Sequence, residues 1–145
     1  MSKTKVTQET NKTALTSLCT TTGFATAALL PEVNSDVVTR HFFSHLCILN
    51  GMPKLILIDQ GSQFKGVLSR FCKTLGIRYH VANPEDHNAI LCERFHRYLN
   101  KVERLMAADL NTFEEWAMNI MFATYAWNAS PIDGTDVVRS FAAKA

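Results

Sequence analysis

Nowhere in this chain do about 18 apolar residues follow one another, so a membrane-spanning helix is not expected. The opening Met1-Ser2-Lys3-Thr4-Lys5 lacks the apolar segment of a secretory signal, which points to an intracellular, unsecreted protein. No C-x-x-C pair occurs. The four cysteines, Cys19, Cys47, Cys72 and Cys92, lie far apart and are expected to be reduced core residues, not disulfides or metal ligands. Internal repeats and low-complexity segments are missing as well, which speaks against a repeat architecture. An excess of one charge is also lacking. A net charge of +2, from 15 Lys and Arg against 13 Asp and Glu, argues for no polyanionic partner by itself. What remains is a 145-residue chain, 47% hydrophobic and 19% charged, which is long enough to bury a core as one domain.

The strongest positive feature is Leu55-Ile56-Leu57-Ile58, an uninterrupted apolar run that suits a strand buried on both faces of a parallel sheet. Asp59 follows it at once, then Gln60-Gly61-Ser62-Gln63-Phe64. In open α/β sheets, chemistry collects just beyond the carboxyl ends of such strands. A second acid, Glu93, opens a basic amphipathic helix.

Other elements fall around these two. Residues 1–12 read as a polar tail or loop remnant. Two strands, 14–19 and 24–30, flank the hairpin connection Thr20-Thr21-Thr22-Gly23. Ser35 can cap a helix that buries Val38, Phe42, Leu46 and Leu49, with Gly51 and Pro53 ending it. A helix over 64–75 turns Val67, Leu68, Phe71 and Leu75 inward and stops at Gly76; a strand follows over 77–81. A third helix covers about 88–108, with Leu91, Phe95, Val102 and Leu105 as its inward stripe. A fourth begins at the capping box Thr112-x-x-Glu115 and is apolar on nearly every face from Trp116 to Trp127, so its burial is expected. The order is β-β-α-β-α-β-α-α.

These blocks resemble the catalytic core of retroviral and retrotransposon integrases, members of the ribonuclease-H-like group. Thr22-Gly23-Phe24 looks like the turn into that family's third strand. The segment from Asn50-Gly51-Met52-Pro53 through Asp59-Gln60-Gly61-Ser62-Gln63-Phe64 is similar to its G-x-P-…-D-x-G-x-x-F block. Leu75-Gly76-Ile77 matches its L-G-I, and Cys92-Glu93-Arg94-Phe95-His96-Arg97-Tyr98-Leu99 its V-E-R-x-N-x-x-L helix start. The resemblance spans residues 13–129, leaving 130–145 as a C-terminal extension, and its details point to a gypsy-like long-terminal-repeat element. It implies an α/β, three-layer ribonuclease-H-like fold, a mixed sheet with helices on both faces.

By the same resemblance, Asp59 and Glu93 are the second and third acids of an Asp-Asp-Glu triad that binds two Mg2+ (or Mn2+) ions. Such ions, about 4 Å apart, activate an attacking oxygen and neutralise the departing one. Magnesium wants hard oxygen ligands, so carboxylates are the right residue type. The implied activity is DNA integration by metal-dependent polynucleotidyl transfer, carried out in the nucleus. Asp59 and Glu93 stand slightly closer in sequence than the family commonly has them, the shortfall falling in Pro84-Glu85-Asp86-His87-Asn88. The first acid is missing: before Glu32 only Glu9 occurs, in a polar stretch. The expectation is a core that lacks its first, central strand and is therefore inactive, so whether the chain is an enzyme stays open.

Arg94, Arg97, Lys101 and Arg104 give the third helix a basic face, where phosphate contact is expected, and Gln63 beside Asp59 is a further DNA-contact candidate. DNA is the expected partner, a homo-oligomer is left open, and no small-molecule cofactor is implied. His41-x-x-x-His45 has a spacing that can hold zinc, but no cysteine pair completes a site. Trp116 and Trp127 read as core residues. Asn11-Lys12-Thr13 and Asn128-Ala129-Ser130 match a glycosylation pattern that means little without secretion. Two alternatives stand beside the enzyme: a non-catalytic nucleic-acid-binding or interaction module built on an integrase fold, and a doubly wound module using Asp59 to bind a small ligand.

Overall fold

The structure is a computed structural model, and it describes residues 13–48, 51–59, 61, 64–83, 85–106 and 113–139. The polar segment 1–12 and the capping residue Thr112 lie outside them. Strands β1 (Thr13–Leu18) and β2 (Ala25–Leu30) form the expected hairpin, antiparallel from Thr13↔Leu30 to Leu18↔Ala25. Its turn closes through Gly23 N–H on the Cys19 carbonyl at 2.8 Å. Gly23 has φ +71°, and a Cβ there would sit 2.9 Å from Arg139 Nε, so both conformation and space call for glycine.

Helix α1 (Ser35–His41) is capped one residue earlier than expected. Asn34 Oδ1 accepts the Val37 N–H at 2.9 Å, while the Ser35 hydroxyl donates to the Lys65 carbonyl at 2.7 Å. The helix then widens into a π-wound segment, Phe42–Cys47. Spacing explains the change: Phe42 and Cys47, five residues apart, are both buried, which a five-residue turn allows and an α-turn does not. Strand β3 (Leu55–Ile58) has the expected bounds and pairs in parallel with β4 (Arg78–Val81), from Leu55↔Arg78 to Ile58↔Val81. It is not covered on both faces, however. Ile56 and Ile58 are buried, but Leu55 is exposed.

Helix α2 (Val67–Thr74) starts at Gly66, whose φ of +74° turns the chain into it, and not at residue 64. Its buried pair is Leu68 and Cys72, one turn apart, whereas Phe71 and Leu75 are largely exposed. Phe71 rests against Phe43 at the edge of this core. Helix α3 (His87–Met106) buries Phe95 and Leu99, with Val102 partly buried, but Leu105 is 76% exposed. The last turn of α3 has left the core. Helix α4 (Phe113–Ala129) departs most from expectation. Trp116, Ala117, Ile120 and Ala123 are buried, yet Met118, Met121, Phe122 and Tyr125, at steps of three, one and three, are between 58% and 71% exposed. One side of α4 packs on β2 and α3, and no described residue covers the other.

Two buried clusters result. One joins Leu15, Ala28 and Leu30 of the hairpin to Ile56 and Ile58 of β3, beneath Val38, Phe42, Cys47, Leu68 and Cys72. The other sets Ala25 against Phe95 and Leu99 of α3 and Trp116, Ile120 and Ala123 of α4. Helices therefore cover both faces of β1–β2, as expected. Among the described residues the strands form two two-stranded sheets, with no ladder between them; the first cluster alone joins the pairs. Of the cysteines, all free, Cys47 and Cys72 are core as expected and Cys19 is exposed.

Candidate nucleic-acid and metal site

Asp59 emerges from the tip of β3, exposed to solvent, as an acid ending an apolar strand should. Its Oδ1 accepts the Gly61 N–H at 2.9 Å, which fixes the carboxylate at the start of the turn. Gln63 lies outside the described residues. Glu93 is on the second turn of α3 and exposed, and it holds Arg97 one turn on, Oε1 to Nη2 at 2.8 Å. Arg94 is also engaged: its Nη2 meets Asp133 Oδ2 at 2.6 Å. That bond and the charge of Arg94, aided by Arg139, hold the Asp133 carboxyl below the usual carboxylate range. Lys101 and Arg104 line a shallow surface depression with Arg97, Asn100 and Leu105, and neither makes an ion pair among the described residues.

Two residues the sequence reading passed over tie the strand tip to this helix. Cys92 and His96, one turn apart on α3, both lie within the field of Asp59. Burial pushes the Cys92 thiol up, and the nearby Asp59 carboxylate pushes it further. Partial burial of the His96 ring lowers its proton affinity, against which Asp59 works in the opposite sense. His96 Nε2 also lies 2.6 Å from Thr16 Oγ1 on β1. Helix α3 thus meets the middle of β1 at Thr16 and lies within reach of the charge beyond β3, with Glu93 next to Cys92 in the chain. The only local hint was the four-residue spacing of Cys92 and His96, and Thr16 is 80 residues away.

The donors Asp59 and Glu93 have the oxygen chemistry magnesium prefers. Their number is short. Among the described residues no three His, Cys, Asp or Glu side chains are arranged to hold a metal ion. His41 and His45 stack face to face, ring centroids 5.1 Å apart, with His45 Nδ1 against the Ser44 hydroxyl, and among the described residues no third His, Cys, Asp or Glu is grouped with them. Asn128 is buried and clamps Ala25 through both of its amide atoms at 2.8 Å, a placement that closes it to glycosylation. Trp116 is buried, and Trp127 donates its indole N–H to the Gly23 carbonyl. No helix among the described residues is long and apolar enough to cross a membrane.

No protein-family model and no curated protein matches this chain. Solved structures do. The HTLV-2 integrase catalytic core domain in complex with magnesium, in a trimeric form, superposes with a TM-score of 0.69 at 17% identity, over 88% of this chain and 81% of that one. The simian T-cell lymphotropic virus intasome, in complex with PP2A regulatory subunit B56 gamma, gives 0.72 at 17% identity, over 88% of this chain and 46% of that one. The catalytic core domain of BIV integrase gives 0.64 at 22% identity, over 81% and 75%. The chain has the fold of a retroviral integrase catalytic core, a mixed α/β, ribonuclease-H-like architecture.

Proposed function

We propose that this chain is an integrase-core domain of a gypsy-like retroelement that binds DNA through the basic face of α3 and holds divalent magnesium or manganese at Asp59 and Glu93. One observation carries the reading. The charge of Asp59, at a strand tip, reaches Cys92 and His96 on either side of Glu93 on α3, which supports assigning both acids to one site. When bound, such ions would activate an attacking oxygen and neutralise a leaving one on the phosphodiester. Asp59 and Glu93 would be their ligands, with Arg97, Lys101 and Arg94 positioning phosphate and Gln63 a contact expected from sequence. The resemblance assigns two acids of a three-acid triad to this chain, Asp59 and Glu93, so we infer that the chain binds DNA without joining it. A DNA-binding role of this kind would be carried out in the nucleus. Structures with this fold occur in trimeric and dimeric forms, and the exposed apolar side of α4 offers a surface for self-association.

Manganese titration followed by amide NMR tests the metal reading. Paramagnetic broadening is expected at Gly61 and Glu93 together, and broadening at one without the other would refute it. Binding of a labelled duplex across a salt series tests the second part. In Arg97→Gln/Lys101→Gln the slope of log affinity against log salt should fall by about two; an unchanged slope would remove these residues from the interface. The absence of a three-donor group among the described residues favours one other reading, a non-catalytic nucleic-acid-binding module. It predicts duplex binding with no manganese broadening at all.

A further inference from the structure

The Arg94–Asp133 contact joins helix α3 to the turn that follows α4, 39 residues away. That turn is firmly held. Pro131 and Val138 form a β-bridge, the Ile132 N–H donates to the Val137 carbonyl at 2.9 Å, and the Thr135 N–H donates to Ile132 at 2.9 Å. Arg139 anchors its far end, buried, with the guanidinium 4.5 Å over the Trp127 ring and Nη1 on the Ser130 carbonyl at 3.2 Å. Asp133 is therefore presented to Arg94 by a braced scaffold, and its other oxygen lies 3.7 Å from Arg139.

The bond itself is easy to exchange. The Arg94 and Asp133 side chains are 48% and 65% exposed, so water and salt screen the pair heavily. A phosphodiester offers the same two-oxygen, singly charged face to a guanidinium that a carboxylate does. Arg94 also belongs to the row with Arg97, Lys101 and Arg104, and the last two have no ion pair among the described residues. A polyanion lying along the row would meet those two first and Arg94 last.

We propose that Asp133 is a built-in stand-in for a nucleic-acid phosphate, keeping Arg94 aimed at the groove of its basic row and leaving when a phosphodiester arrives. This rests on the DNA-binding reading of α3. Asp133 thereby lowers the affinity of the free protein for nucleic acid and reserves Arg94 for ligands long enough to reach it.

The test compares the full chain with Asp133→Asn, Asp133→Asn/Arg94→Gln and Asp136→Asn, by fluorescence anisotropy of a short labelled duplex over a salt series. Asp136→Asn removes the same charge from an exposed neighbour in the turn that makes no ion pair among the described residues. Asp133→Asn should bind about two- to fivefold tighter at low salt, more than Asp136→Asn, and the double variant should lose that gain. Equal gains from the two Asp variants, or a gain that survives loss of Arg94, would overturn the proposal. So would weaker binding by Asp133→Asn with a lowered melting temperature, the mark of a purely structural bond. Wild type that binds while Asp133→Asn matches it refutes the stand-in alone, whereas no binding by any of the proteins refutes the DNA reading and the stand-in together.

Discussion

β1–β2 has helices against both of its faces: Leu15 and Ala28 enter one buried cluster, and Ala25 enters the other. β3–β4 sends Ile56 and Ile58 inward from one face, and Leu55, Arg78, His80 and Val81 are exposed. The hairpin is also tied down by polar groups. Asn128 takes up both backbone groups of Ala25, and Trp127 holds the Gly23 carbonyl. Among the described residues the parallel pair is stapled less directly, through the Ser35 hydroxyl on Lys65 and the Tyr79 hydroxyl on the Phe64 carbonyl, both just ahead of α2. The difference bears on function, because the two candidate acids stand on different halves. Glu93 rides on α3, packed against the well-covered hairpin, and Asp59 stands on the lightly covered strand. Their relative placement is only as firm as the cluster that spans both.

The largest break in this contrast should come from Phe95, the bulkiest fully buried side chain, at the centre of the cluster under the hairpin. Phe95→Ala is expected to destabilise the chain by about 3–5 kcal/mol. Urea denaturation measures this, and a loss under about 1 kcal/mol would show that the hairpin is not the stronger half. Ile58→Ala comes next, at the low end of the roughly 2–5 kcal/mol expected for removing a buried isoleucine, because exposed neighbours let the site relax. Native-state hydrogen exchange sharpens the same point. Amides of β3–β4 should exchange faster than those of β1–β2, and equal protection would erase the distinction. Asn128→Leu should cost about 1–3 kcal/mol, since the Ala25 N–H and carbonyl would be buried without partners. A neutral result would mean that water replaces the amide and the clamp is incidental.

The sequence was most informative where one local rule acted alone. Four consecutive apolar residues bounded β3, and Asp59 followed as a strand-tip acid. It misled where two rules competed within a residue or two. Asn34 and Ser35 both suit a helix cap, and only the extended backbone at Asn34 decides between them. Phe42 and Cys47 are both buried five residues apart on a π-turn, a step that the three- and four-residue spacing of an α-helix does not provide. α4 carries apolar residues on all sides, so no periodicity could mark which of them stay in water. At the candidate site, Asp59 and Glu93 were singled out by the motif blocks around them, since an acid near a helix start is common and marks nothing by itself. His96 was not. A histidine in a basic helix has no signature of its own, and its significance lies in Thr16 and Asp59, both far off in the chain.

That histidine supplies the gentlest probe of whether the two halves meet. Partial burial depresses the proton affinity of His96, and Asp59 offsets part of the effect. Removing the carboxylate with Asp59→Asn should therefore lower the His96 titration midpoint further, as read by NMR of the ring. The sign for stability follows from the depressed value. An unfolded His96 takes up protons more readily than the folded one, so the neutral ring's contribution is complete above the ordinary histidine range and is lost as pH falls through it. In Asp59→Asn that loss should reach further toward acid, since the folded midpoint has moved down while the unfolded one has not. A midpoint unmoved by the substitution would mean that the tip of β3 does not face α3. Asp59 and Glu93 would then belong to two separate surfaces, with nothing to bring them to a common ion.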